Sequence, residues 1–208
     1  MSRELLEDIV RLPALQLDDP EERYLVSGVS WYQYEELLEQ LEDGSWYRVT
    51  YLEGLLEIMA PSRRHEVSKD NIGRLLSVFF EETRTRFWGL GSTTFRKGEK
   101  RGGTEPDVCY CIGTEKEIPD LAIEVVLTSG GVDKLAVYQR LGVQEVWFWQ
   151  NHCFEVHDLQ GERYEPIPTS RLLPNLDLNL LAEYVEHPSP LDAILEFREK
   201  LRGQMQKF

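Results

Sequence analysis

The spacing of apolar positions changes several times along the chain, and each change predicts an element. WYQYEELLEQL (31–41) follows Ser30 and has the capped, helical period of a short amphipathic helix. YRVTYLEGLLEIMA then alternates around Glu53-Gly54, which predicts a β-hairpin. From Arg63 to Thr85 the apolar positions Val67, Ile72, Leu75, Leu76, Phe79 and Phe80 return to helical spacing, with Ser62 as a natural cap. Three strands follow: STTFRKG, EPDVCYCI and DLAIEVVLT. The helix DKLAVYQRLG ends at Gly142 and leads into the aromatic strand EVWFWQ. The resulting order, α, β, β, β, α, β around a mixed sheet, is an α/β fold with added hairpins. One of these is CFEVHDLQGERYEPI, turning at Gln160-Gly161; a charged helix closes the chain.

The 208 residues suit one compact domain over 30–185, with an N-terminal extension at 1–29 and a C-terminal helix at 186–208. The first 20 positions carry acids where a signal peptide needs a basic start, and no run of about 18 apolar residues exists, so a cytoplasmic protein without a membrane span is expected. Cys109, Cys111 and Cys153 lack metal-finger spacing; the first two read as small apolar residues of one strand.

The net charge of −14 opposes indiscriminate coating of nucleic acid. It is unevenly spread. Residues 1–60 hold 4 basic and 14 acidic side chains, 61–104 hold 10 and 5, and 105–208 hold 9 and 18. Within the one basic stretch, Arg96, Lys97, Lys100 and Arg101 cluster on a predicted hairpin, either as a phosphate-contacting patch or as a solvated tip.

Two carboxylates stand out. Glu124 interrupts the apolar strand Leu-Ala-Ile-Glu-Val-Val, where a buried acid is costly without a cation or a donor. Asp107 shares a strand face with Cys109 and Cys111. Two such acids on neighbouring strands supply the hard oxygen ligands that Mg²⁺ prefers. Otherwise Glu124 is a structural acid held by an arginine, and Pro106-Asp107 is a turn before a strand.

Pro106-Asp107, then Glu124 in a buried strand, resembles the PD-(D/E)XK nuclease superfamily and, more closely, the Uma family of restriction-endonuclease-like proteins. The stretches that carry the resemblance are YLEGLLEIMAPSRRHEV, EPDVCYCI, PDLAIEVVLTS, DKLAVYQRLGVQEVWFW and SRLLPNLDLNLLAEYV, together spanning roughly residues 30–185. The resemblance implies a restriction-endonuclease-like core and Mg²⁺- or Mn²⁺-dependent cleavage of DNA. It makes Asp107, Glu124 and the carbonyl of Val125 metal ligands. One departure matters, because the superfamily's lysine two positions after the glutamate is here Val126.

Lys134, at the start of the next helix, stands where the Uma-like pattern has its lysine, and it shares a face with Tyr138 and Leu141. It serves either to orient water and offset phosphate charge, or as a solvated lysine paired with Asp133. His65 and Glu53 belong to the same family-like segment. His65 either has a substrate-side role or is a structural helix-start histidine, and Glu53 is either a ligand or a turn residue. Trp46, Trp88, Trp147, Phe148 and Trp149 read as core or as a dimer contact at a strand edge, with base stacking as the alternative.

Three function classes remain. The first is a Mg²⁺-dependent endonuclease acting on DNA as a homodimer. The second is a catalytically inactive nucleic-acid-binding or regulatory protein on the same fold, which the missing lysine favours. The third, hydrolysis of a small phosphoester, lacks a phosphate-cradling glycine loop.

Overall fold

The computed structural model describes residues 21–41, 47–91, 93–98, 101–128 and 131–205. Lys100 and Trp46 lie outside them, as does most of the N-terminal extension. Two compact units emerge, one made of 1–63, 95–105 and 128–141, the other of 64–94, 106–127 and 142–208.

The first unit is an antiparallel sheet in the order β1-β3-β2-β6-β5. Its strands are β1 (Glu22–Ser27), β2 (Arg48–Leu52), β3 (Leu55–Ala60), β5 (Phe95–Lys97) and β6 (Gly102–Thr104). Helix α1 (Trp31–Leu41) begins in a capping box, in which Gln33 N–H donates to Ser30 Oγ and the Ser30 N–H donates back to Gln33 Oε1. Its Tyr34 and Leu37 pack with Val49, Tyr51, Leu56 and Ile58 of the hairpin. The expected turn holds Glu53 at φ 46° and Gly54 at φ 93°, the left-handed pair that a two-residue hairpin loop requires. Helix α3 (Lys134–Leu141) lies against β2, β5 and β6.

The second unit is a six-stranded sheet in the order β11-β10-β9-β8-β7-β4, antiparallel except for the β8–β9 pair. It comprises β4 (Phe87–Gly89), β7 (Val108–Ile112), β8 (Leu121–Val125), β9 (Glu145–Gln150), β10 (Cys153–Gln160) and β11 (Arg163–Ile167). Helix α2 (Arg63–Thr83) contributes Ile72, Leu75, Leu76, Phe79 and Phe80 to the core, where they meet Ile123, Val125, Trp147 and Trp149. Helices α4 (Leu178–Val185) and α5 (Pro190–Met205) complete it with Leu181, Phe197 and Leu201. No helix among the described residues is long and apolar enough to cross a membrane.

Two expectations are corrected. The strand within STTFRKG does not precede β7 in the mixed sheet. Phe95–Lys97 pairs instead with Gly102–Thr104 across its own short loop, and Phe87–Gly89 takes the place beside β7. Nor does the aromatic strand offer an edge for a partner: β9 is hydrogen-bonded on both sides, by β8 and β10. Trp147 and Trp149 are buried in the core, as a strand rich in large apolar side chains predicts.

Candidate active site

Asp107 stands immediately before β7, and the β7–β8 ladder fixes what it meets. The register runs Val108↔Ile123, Cys109↔Ala122, Tyr110↔Leu121. Continued by one step, it brings Asp107 level with Glu124, and opposed residues of an antiparallel pair share a face. Both acids are buried, Asp107 at 4% and Glu124 at 5% exposure. Asp107 Oδ2 accepts the Val125 N–H at 2.8 Å. A hydrogen bond to a charged acceptor contributes about 1.5–3 kcal/mol, enough to offset much of the cost of burying this carboxylate.

His65 closes on the other oxygen. Its apolar-stripe position in the first turn of α2 buries it completely, and its Nε2 lies 2.9 Å from Asp107 Oδ1. Glu124, Asp107 and His65 thus come from three places in one unit: β8, the approach to β7, and the start of α2.

Among the described residues no group of three or more His, Cys, Asp or Glu side chains is gathered to hold a metal ion. The donor set at Asp107 and Glu124 is oxygen-only, which does not suit a closed zinc site. It does suit Mg²⁺ or Mn²⁺, ions bound through one or two carboxylates with water completing the octahedron.

In the first unit, Lys134 opens α3 and Asp133 caps it, with the Ala136 N–H donating to Asp133 Oδ1 at 3.1 Å. The Lys134 ammonium is partly buried and donates to Thr104 Oγ1 at 3.1 Å. The face it shares with Tyr138 and Leu141 is an inward one, since both of those are buried. Glu53 is exposed at its turn and pairs with Arg140 at 2.7 Å. Of the basic cluster, Lys97 donates to the Leu141 carbonyl at the C-terminal end of α3 at 2.6 Å, where a cation suits the helix dipole. Arg96 and Arg101 are exposed.

One acid was overlooked. Glu57 is buried in Leu-Leu-Glu-Ile-Met-Ala, and its Oε2 accepts the Val132 N–H at 3.1 Å. An acid inside an apolar strand is the signal that singled out Glu124, and applied evenly it finds Glu57 as well. Cys109 and Cys111 are buried as expected. Burial, then the neighbouring Cys111, pushes the Cys109 thiol up to about 12, so it stays protonated and inert at neutral pH.

The family model described as "Uma2: Putative restriction endonuclease" matches residues 31–189. The chain belongs to this family. The mixed sheet of this Uma2 chain, with α2 and the β8–β9 parallel pair, is the restriction-endonuclease-like core that the sequence resemblance implied. Uma2 membership implies a nuclease, and with it a nucleic acid as the class of substrate. A crystal structure described as a putative nuclease belonging to DUF820 from Anabaena variabilis ATCC 29413 is 18% identical, with 72% of this chain and 90% of that chain covered at a TM-score of 0.40. No curated protein matches the chain.

Proposed function

We propose that this protein is a Mg²⁺-dependent endonuclease that hydrolyses phosphodiester bonds of DNA, with Asp107, Glu124 and the Val125 carbonyl holding the ion. The observation that carries this reading is the bond from Val125 N–H to Asp107 Oδ2, which ties the two acids of the family pattern to one end of one sheet. A divalent ion bound there supplies charge stabilisation to the phosphoryl group. His65 orients Asp107 through its 2.9 Å contact, a role between the substrate-side and the structural ones that the sequence left open.

Lys134 takes the part of the lysine absent at 126, orienting the attacking water and offsetting charge that develops on phosphate. In support, its ammonium donates to Thr104, while the side chain of Asp133 caps α3. DNA is met through Arg96 and Arg101, with Lys100 of the same cluster. Lys97 contributes by anchoring the hairpin to α3. Glu53 holds Arg140 at the hairpin turn. Two chains act together, because one site cuts one strand.

The test is purified protein with supercoiled plasmid and Mg²⁺ or Mn²⁺, alongside a chelator control. Nicking or linearisation that the chelator and Asp107→Asn both abolish supports the endonuclease. DNA retention without cleavage at any metal concentration assigns the chain to the inactive binding class that Val126 favours.

A further inference from the structure

We infer that Thr104 is a positioning residue for Lys134, its buried hydroxyl fixing the direction of the ammonium group; this rests on the assignment of Lys134 as the reaction's lysine. Lys134 Nζ donates to Thr104 Oγ1 at 3.1 Å. Thr104 is buried at the end of β6, and its Oγ1 lies 2.9 Å from Oγ1 of Thr50, buried on the neighbouring strand β2. An ammonium group donates three hydrogens and accepts none. Thr104 oxygen is therefore the acceptor toward Lys134, which leaves the Thr104 hydrogen for the Thr50 hydroxyl. Both threonines sit on strands of one sheet, and a group aimed from a sheet is held more tightly than one aimed from a loop.

The backbone end of Lys134 is seated with equal care. Glu57 Oε2 accepts from Val132 N–H, and Gly131, at φ 129°, approaches so closely that a Cβ there would fall 2.0 Å from that same oxygen. No side chain fits at 131, so the segment entering α3 rests directly on the Glu57 carboxylate. With Asp133 capping the helix, the lysine is fixed at Cα and at Nζ.

Its location argues that this is not done for stability. Lys134 is the first residue of α3, the positive end of the helix dipole, where acids are favoured and a cation is repelled. A lysine also loses more side-chain freedom than most residues when held at both ends. A chain that places a cation there, and supplies two hydroxyls to aim it, is using the ammonium for something other than the helix.

The experiment combines two readouts on the full chain. With lysine-selective ¹⁵N labelling, the Lys134 ammonium resonance, assigned by its loss in Lys134→Arg, should be slow in proton exchange in wild type and in Thr104→Ser. It should broaden in Thr104→Val. In plasmid cleavage, Thr104→Val should lower kcat about ten-fold with KM nearly unchanged, the scale of losing a supporting partner, and Thr104→Ser should restore it. Should Thr104→Val fail to fold, Thr50→Val leaves the Lys134–Thr104 bond in place and should still lower kcat about three-fold, a smaller loss because it acts one bond further away. An unchanged resonance in Thr104→Val overturns the inference whatever the activity, as does wild-type cleavage by both valine variants. A Thr104-dependent resonance in a protein that cuts nothing supports the positioning and sinks the nuclease reading instead.

Discussion

At the start of β9, Glu145 is wholly buried and accepts from Trp147 Nε1 at 2.6 Å, from the Arg171 N–H at 2.9 Å and from the Leu172 N–H at 3.3 Å. Its cross-strand neighbour Asp158, also buried, accepts from Gln144 Nε2 at 2.9 Å and from Arg171 Nη1 at 2.6 Å. Three residue steps along β8, roughly 10 Å, separate this end of the sheet from the Asp107–Glu124 end. Four buried acids therefore stand on one sheet, and the donors described around Glu145 and Asp158 differ in kind from those described around Asp107. Glu145 and Asp158 each give one oxygen to a side chain at or beside β9, Trp147 or Gln144, and the other to backbone amides or the arginine of the segment after β11, stitching that segment to the strands. Asp107 meets a strand amide and a histidine. Burial of a carboxylate is therefore no mark of function by itself; the donors around it are what separate a fastener from a working group.

The largest effect should come from Asp107→Asn, with plasmid cleavage falling about 100-fold or more and Mn²⁺ binding lost by calorimetric titration, while the melting transition stays close to wild type. Glu145→Ala should do the reverse. Stranding the amides of Arg171 and Leu172 should cost about 2–3 kcal/mol in urea unfolding, with Mn²⁺ binding retained. If Glu145→Ala removes metal binding, or Asp107→Asn merely destabilises, the two ends are not distinct.

Smaller tests sharpen the contrast. Arg171→Ala should lose about 1 kcal/mol, because its guanidinium is mostly exposed although the Asp158 it meets is not. Arg96→Gln with Arg101→Gln should weaken DNA binding and reduce the slope of log K against log salt by about 2, one phosphate contact each. An unaltered slope would move the DNA path elsewhere. Last, iodoacetamide should label exposed Cys153 in the native protein but spare Cys109, whose thiol burial pushes up to about 12, until the chain unfolds.

Elements written in local spacing were legible from the amino-acid sequence. Ser30 with Gln33 announced α1, Glu53-Gly54 announced the hairpin, and Gly142, at φ 83°, ended α3. Two of the three-residue strands were not legible: Phe-Trp-Gly becomes β4 by pairing with the distant β7, and Gly-Gly-Thr becomes β6 between nearby β5 and distant β2. Helix α4 had its signal, Asp177 capping Asn179 and Leu180 before an apolar period, and was passed over. At the site, Glu124 announced itself as an oddity in an apolar strand, whereas Pro106-Asp107 read as a turn until the family resemblance gave it a role. Thr104 could not, because its partner Thr50 is 54 residues away and neither breaks a local rule.

The two units interleave along the chain, which passes from one to the other at 63/64, 94/95, 105/106, 127/128 and 141/142. On the ribosome the first unit cannot close until α3 has emerged, by which time the strands of β7 and β8 are already exposed and waiting. The second cannot close before Phe197 and Leu201 arrive to cover Tyr184 and its neighbours. At about 5–20 residues per second the sheet that carries Asp107 and Glu124 stays open for several seconds of synthesis. Neither unit can be cut out as a contiguous piece, and a nascent chain halted near residue 150 should be a better client for chaperones than a nuclease.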